Sequence, residues 1–431
     1  MSYILLLLFF VVEYVRPTSY VPALMPLKLN SVVPFAAFIG TVASGAAAAV
    51  RDRGVSDLNS RAVWGLVGLV FVSVLTADVQ LYAWERFTAV IGYAIIYSVL
   101  VCELINLDRI KGVFMALVGV HVLIAALNPV LFTSPDERNY IASGSFLGDG
   151  NDFALSLVIA APFCLFLFLT AKAWQKPVWA FALLVVVACV VLTQSRGGTL
   201  GLGAMGIYYW LKSAKKVQTG VMIVVVTSLI AALAPGAYFT RMNQIGDTQE
   251  GSAAARLMAW GVAIKMATDN PLLGVGAGNF PTKIGNEYRT PQVPGGGMTA
   301  HSVYFLALGE LGFPGLVVVL YFIIANLMAN RRLSKEVRER HGPKAIELQL
   351  LASSSAAMIS FSVAGAFLSA LYYPHIYVLA GLQSAIRHVA RERNLGQVPA
   401  TPSQSAGREI TYHPALGRRP GLRPVAHVLP R

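Results

Sequence analysis

The strongest constraint on how this chain can fold is a series of twelve apolar windows. They lie near 3–20, 30–50, 62–79, 87–105, 110–132, 152–171, 177–193, 198–212, 219–235, 301–329, 346–363 and 366–388. A hydrocarbon layer about 30 Å thick is crossed by roughly 20 apolar residues wound as a helix, which bonds every backbone N–H and C=O within its own segment. Each window is long enough to do this or nearly so. Composition agrees, since 56% of the 431 residues are hydrophobic and 13% are charged, about half the charge of an ordinary soluble domain. The expected fold is an all-α, polytopic integral membrane protein with about 12 transmembrane helices. The first window is the weakest, being interrupted by Glu13 and Arg16.

The loops test that reading independently, because Lys and Arg gather on one side of a membrane. Loops 51–61, 106–112, 171–177, 212–216 and 331–344 carry 3, 2, 2, 3 and 6 basic residues, the tail from Arg387 adds 8, and the rest of the chain holds the other 10 of 34. Every second loop is basic, so both termini are expected in the cytoplasm. The net charge of +13 is then a property of these loops and gives no reason to expect nucleic acid. The organisation expected is helices 1–9 over 1–234, a loop on the far side over 235–300, helices 10–12 over 301–390, and a disordered basic tail over 391–431. The N-terminal run lacks a basic leader and a small-residue cleavage pattern, so it reads as a retained span. Cys102, Cys164 and Cys189 fall in apolar runs without metal-like spacing and read as packing residues.

The face opposite the basic loops receives 133–152, the short turn "QSRGG" and the loop 235–300. The long loop contains a helix, because Ala253–Thr268 sets Arg256, Trp260, Ala263 and Ala267 on one side and Lys265 opposite, with Asp269-Asn270-Pro271 ending it. This helix is expected to lie along the membrane surface. Three groups able to do chemistry converge on this face. Arg196 follows Ser195 in the glycine-rich turn and suits an anion, the alternative being an arginine that snorkels to lipid headgroups. Arg256 precedes Trp260 by one helical turn, the alternative being a solvated surface charge. Two planar guanidiniums together make a good pyrophosphate clamp.

His301, followed by Ser302, stands at the mouth of the window 301–329 and is expected to cap its helix. Near neutral pH an imidazole is well suited to take a proton from a hydroxyl, the alternative being an interfacial histidine satisfied by a carbonyl. Glu310 lies nine residues on, half a helical turn out of phase and about 13 Å deeper. It is expected to pair with a polar group on another helix and not with His301. Gly309, Gly312 and Gly315 read as a small-residue seam for helix packing. "GVGAGNF" at 274–280 lacks the preceding strand of a nucleotide site and reads as a loop. Asp136-Glu137 and Asp149–Asp152 match no standard metal cage, and no metal is expected.

These residues resemble a known family. "HSVYFLALGELGFPG" runs His301, Ser302, nine residues, Gly312, two residues, Gly315, and with "SRGG" and "ARLMAWGVAIKMATDNPLLGVGAGNF" it is similar to the bacterial O-antigen ligase and polymerase superfamily. "GDGNDFALSL" also resembles the O-glycosylation ligases associated with exosortase systems. The resemblance implies a cofactor-free, metal-independent, inverting glycosyltransferase of the bacterial inner membrane with its active site on the periplasmic face. The implied donor is a glycan on undecaprenyl pyrophosphate. The implied acceptor is lipid A core, or else a growing glycan or a protein. By motif, Arg196 and Arg256 would bind the pyrophosphate and His301 would be the general base, with Ser195, Trp260, Ser302 and Glu310 in support. A transporter is the competing class, but binding groups of transporters lie near the midplane in matched halves, and no repeat between halves is visible here.

Overall fold

The computed structural model describes residues 1–44, 57–134, 141, 146–243, 251–288 and 298–396. Among them there is no strand. The helices are α1 (Ser2–Phe10, continued by a π-helical turn Val11–Val15), α2 (Leu29–Ala43), α3 (Leu58–Thr76), α4 (Gln80–Glu103), α5 (Leu107–Leu127), α6 (Gly150–Thr170), α7 (Lys176–Leu192), α8 (Arg196–Lys212), α9 (Lys216–Leu233), α10 (Gly236–Asn243), α11 (Gly251–Asp269), α12 (Phe280–Asn286), α13 (Val303–His341), α14 (Ile346–Gly365) and α15 (Pro374–Gly396). Each of the twelve apolar windows holds a helix. Among the described residues, seven helices are long and apolar enough to cross a membrane: α3, α4, α5, α6, α7 with its preceding turn, α13 and α14. Ser2–Val15, Leu29–Ala43 and Lys216–Ala232 are shorter apolar helices. The remaining two windows hold α8, whose first turns are loosened by Gly197, Gly198, Gly201 and Gly203, and α15, which carries His375, Gln383 and Arg387.

α6 is the central helix. Its residues from Phe153 to Cys164 are buried on all faces, as are Phe166 and Leu167, and it packs against α14, α7, α8 and α5. Polar groups within the bundle are paired, as the cost of burying them requires. Glu13 accepts hydrogen bonds from Tyr93 Oη at 2.8 Å and Asn30 Nδ2 at 3.1 Å. The helix around it loosens into the π turn and stops at Arg16, whose φ is 51°, which is why the first window falls short of a full span. Arg387, counted by sequence among the tail charges, is only 2% exposed. Its guanidinium pairs with Asp57 at 3.2 Å and donates to Asn326 Oδ1 at 2.6 Å, tying α15 to α3 and α13.

Two boundaries differ from the sequence reading. α13 runs on through the basic stretch 331–341, because Arg, Lys, Glu and Leu are good helix formers and Lys335 reaches Glu339 at 3.8 Å, one turn on. α15 extends to Gly396, and the rest of the expected tail lies outside the described residues. Cys102, Cys164 and Cys189 are free and buried.

Candidate active site

α7 ends in a tight buried turn, Thr193-Gln194-Ser195, with Gln194 at φ 52°. Ser195 is the N-cap of α8, its Oγ accepting from Gly198 N at 3.2 Å. Arg196 is the first residue of that helix and is half-buried. The two glycines after it allow close packing. A Cβ on Gly198 would come within 2.7 Å of Ala154 Cβ in α6, and one on Gly197 within 3.4 Å of Ala364 O and Phe367 Cβ, at the C-terminal end of α14.

The turn bearing His301 docks on the same end of α14. Thr299 Oγ1 and Ser369 Oγ are 2.9 Å apart, Tyr304 Oη donates to Ser362 O at 2.8 Å, and Gly365 faces Val303. His301 is half-buried, with a left-handed φ of 45°, a conformation that histidine adopts more readily than most residues. The structure corrects the expected cap by one residue: Ser302 is the N-cap of α13, its Oγ receiving Phe305 N at 3.5 Å. A serine accepts from the first-turn amides without leaving the main chain, which an imidazole cannot do so compactly. Arg196 and His301 are thus carried on two helix N-termini that meet at one end of α14. The positive dipole ends of two helices favour an anion there.

The third component is α11, which carries Arg256 and Trp260 and ends at Asp269 as expected. It packs along α13, burying Ala259, Ala263, Met266 and Ala267 and leaving Lys265 65% exposed beside Asp269. Trp260 Nε1 donates to the carbonyl of Ala300 at 2.9 Å, and its ring stacks on Phe305 at 4.8 Å. Trp260 therefore grips the chain on both sides of His301. Arg256, one turn earlier on the same helix, is half-buried.

Glu310 is buried and not directed to His301, in agreement with its phase. Its partners are loop groups and a tyrosine, where sequence led us to expect a polar residue on another helix. The carboxylate accepts from Gly278 N at 2.8 Å, Phe280 N at 3.1 Å and Tyr372 Oη at 2.7 Å. "GVGAGNF" is a loop, with Gly274, Gly276 and Gly278 all at positive φ. It sits against a break in α13, where Gly312 has φ 67° and ψ −164°. The break frees the carbonyls of Gly309 and Glu310, which receive Val275 N and Gly276 N at 2.9 Å each, while Phe313 N turns away to Pro271 O. This corrects the glycine seam. Gly309 does pack closely, against Phe280 and Ala263, but Gly312 is the hinge of the break, because Pro314 beyond it has no amide to continue the ladder. Asn279 completes the knot with two side-chain bonds to Val79, at 3.0 and 3.2 Å.

Sequence reasoning missed Thr299, Ser369, Tyr372 and Arg86, whose guanidinium lies 5.7 Å from the Tyr372 ring centre. The signal at hand was "LYYPH" (371–375), two aromatics against a proline that breaks into the window 366–388. Of the acidic candidates, Asp149 caps α6, accepting from Asn151 N at 2.7 Å. Asp136 and Glu137 lie outside the described residues. Among the described residues no three His, Cys, Asp or Glu are grouped as metal ligands would be.

No curated protein matches the chain. A family model does, over residues 181–320, which hold both the Arg196 turn and the His301 turn with all of α11 between them. Its description is O-antigen ligase. On the stretch that builds this site, the chain is similar to the O-antigen ligase family.

Proposed function

We propose that the protein is an inverting glycosyltransferase that moves a glycan from undecaprenyl pyrophosphate to an acceptor hydroxyl, with O-antigen transfer onto lipid A core as the reaction. The observation that carries this reading is the meeting of two helix N-termini, bearing Arg196 and His301, at one end of α14, with Trp260 joining Arg256's helix to the His301 turn. The site is read as the periplasmic face of the inner membrane, with about 12 spans and both termini in the cytoplasm, on the strength of the basic loops.

The chemistry follows from these groups. His301 takes the proton of the acceptor hydroxyl as its oxygen attacks the anomeric carbon from the side opposite the leaving group. The bond from that carbon to the pyrophosphate oxygen breaks, and its electron pair leaves with the pyrophosphate. Attack from the far side inverts the anomeric centre. Arg196, Arg256 and the helix amides meet the charge that develops on the leaving oxygens, so the step needs neither a strong acid nor a metal from the protein. The proton on His301 passes to solvent after the products part.

The test is transfer in membranes from an undecaprenyl-pyrophosphate-linked glycan to a lipid A core acceptor, with EDTA present and His301→Ala beside the wild type. Transfer that survives chelation and is lost in the variant supports the reading. Transfer only to a growing glycan or a protein would make the enzyme a polymerase or a protein O-oligosaccharyltransferase acting through the same site. Donor transport without transfer would overturn the enzyme reading.

A further inference from the structure

The N-terminal end of α6 carries a second group of side chains, apart from Arg196 and His301. Asp149 at its N-cap and Asp152 in its first turn are half-buried, beside the half-buried rings of Phe146 and Tyr373. Those rings are 5.3 Å apart, Tyr373 Oη donates to Asp152, and Asp149 accepts from Asn151 N and Nδ2 at 2.7 and 2.9 Å. Exposed Arg86 adds a guanidinium at the edge, 5.7 Å from the neighbouring Tyr372 ring. Against both half-buried rings lies His375, itself only 2% exposed, at 5.2 Å from Phe146 and 6.3 Å from Tyr373. Its Nδ1 is 3.4 Å from Tyr14 Oη, and its buried Nε2 has no hydrogen-bond partner among the described residues. A polar atom left so, next to a half-exposed group of polar side chains, calls for a partner from outside the chain.

Three classes of ligand fit badly. An anion would meet two carboxylates. A metal ion would find one carboxylate holding α6's own amide and the other a phenol, and among the described residues no three His, Cys, Asp or Glu are grouped as its ligands would be. A purely apolar ligand would bury the carboxylates without compensation. A sugar ring suits every part. Its C–H face lies on an aromatic ring, its hydroxyls donate to the carboxylates in charge-assisted bonds, and one hydroxyl, or a water bound with it, satisfies Nε2.

The position of the group suits a substrate that extends past the transfer site. Ala154 faces Gly198 in the Arg196 turn, and Asp152, two residues earlier, is about 200° round the helix. The group therefore lies across the end of α6 from Arg196, roughly one helix diameter of about 10 Å away. Residues 367–373 run between the two places: Phe367 meets Gly197, Ser369 meets Thr299 beside the His301 turn, and Tyr373 reaches Asp152. We infer that this group is a sugar subsite, which holds a ring of the glycan other than the one that reacts; this rests on the reading of the protein as a glycosyltransferase. Binding a remote ring holds the substrate without taking part in the bond change.

The tests use the full-length protein in lipid nanodiscs. Saturation-transfer NMR is read on methyl glycosides of glucose, galactose, mannose, rhamnose and N-acetylglucosamine at millimolar concentration, with empty nanodiscs as the blank. Signals on the ring protons of at least one glycoside, kept in His301→Ala and lost in Tyr373→Ala, are the expected result. Asp152→Asn, which keeps the shape of the site, should weaken them too and guards against an alanine variant that fails to fold. No signal above the blank from any glycoside, or equal signals in wild type and in the Tyr373 and Asp152 variants, would overturn the inference. In the transfer assay, Tyr373→Ala should raise KM about tenfold for one substrate with kcat nearly unchanged. A rise for the lipid-linked donor assigns the ring to the donor glycan, and a rise for the acceptor assigns it to the acceptor. Both KM values unchanged would overturn the inference. Wild type whose sugar signals follow the expected pattern but which transfers no glycan would remove the proposed activity and leave the subsite standing.

Discussion

The indole nitrogen of Trp260 lies 2.9 Å from the carbonyl oxygen of Ala300, the residue that precedes His301. With the Trp260 ring stacked on Phe305, one side chain from α11 brackets the left-handed turn in which His301 sits. A histidine held at φ 45° persists only where its surroundings enforce it, and Trp260 is one of the side chains that hold the turn. The helix carrying Arg256 is thereby fixed relative to the proposed base.

Trp260→Phe keeps the stacking and removes the hydrogen bond. A bond of this kind contributes about 1 kcal/mol, which is about a fivefold change in rate if it acts by placing the base. We expect transfer to slow by about that factor, with donor KM and melting temperature in detergent nearly unchanged. A rate equal to wild type would show that the indole packs without positioning.

Glu310 is expected to act on stability before it acts on chemistry. Glu310→Ala would leave two amides and the Tyr372 hydroxyl without their acceptor, at about 1–3 kcal/mol for each buried group. A large fall in the detergent melting temperature follows, and Glu310→Gln, which retains one oxygen, should fall between. In a double-mutant cycle, Glu310→Gln and Tyr372→Phe should be less than additive, because they remove parts of one contact. Strict additivity would show that the 2.7 Å bond contributes nothing of its own.

The apolar windows made the helices legible, since a bilayer demands long bonded segments and the sequence must supply them. Arg196 and His301 were visible as polar residues at window ends, where a charge is costly without a purpose, and Arg256 as a charge on the helical stretch of the long loop. What stayed hidden was contact across the chain. Nothing local says that Thr299 meets Ser369 or that Gly197 meets Phe367, because such pairings are set by which helix ends dock on α14. Gly312 misled for a related reason. A glycine spaced for a packing seam and a glycine needed for positive φ look alike in one sequence, and only the neighbouring Pro314 hinted at a break.

Gly274 in the loop 274–280 and Gly342 at the end of α13 are both at positive φ, in different surroundings. Gly274 has φ 60°, and a Cβ there would lie 2.5 Å from Gly309 O. Gly342 has φ 76° with nothing within 4 Å. Gly342→Ala should cost only the strain of its backbone, φ 76° with ψ 180°, a region nearly confined to glycine, at about 1–3 kcal/mol. Gly274→Ala adds a collision with backbone that cannot swing away, so its loss of melting temperature should be clearly the greater. Equal losses would mean that the loop is not seated on the break in α13.

Arg196→Lys separates the two readings of that side chain. Lysine keeps the charge and can snorkel as well as arginine, but it lacks the planar fork that gives two parallel bonds to a phosphate. If Arg196 grips pyrophosphate, the substitution should lower kcat/KM at least tenfold, through donor KM if the contact is equal in ground and transition states and through kcat if it tightens as charge develops. The melting temperature should hold, because the side chain is half-buried and the turn is built by Ser195, Gly197 and Gly198. Full activity in the lysine variant would leave Arg196 as a contact to lipid headgroups, and the anion site would then have to be carried by Arg256 and the helix amides.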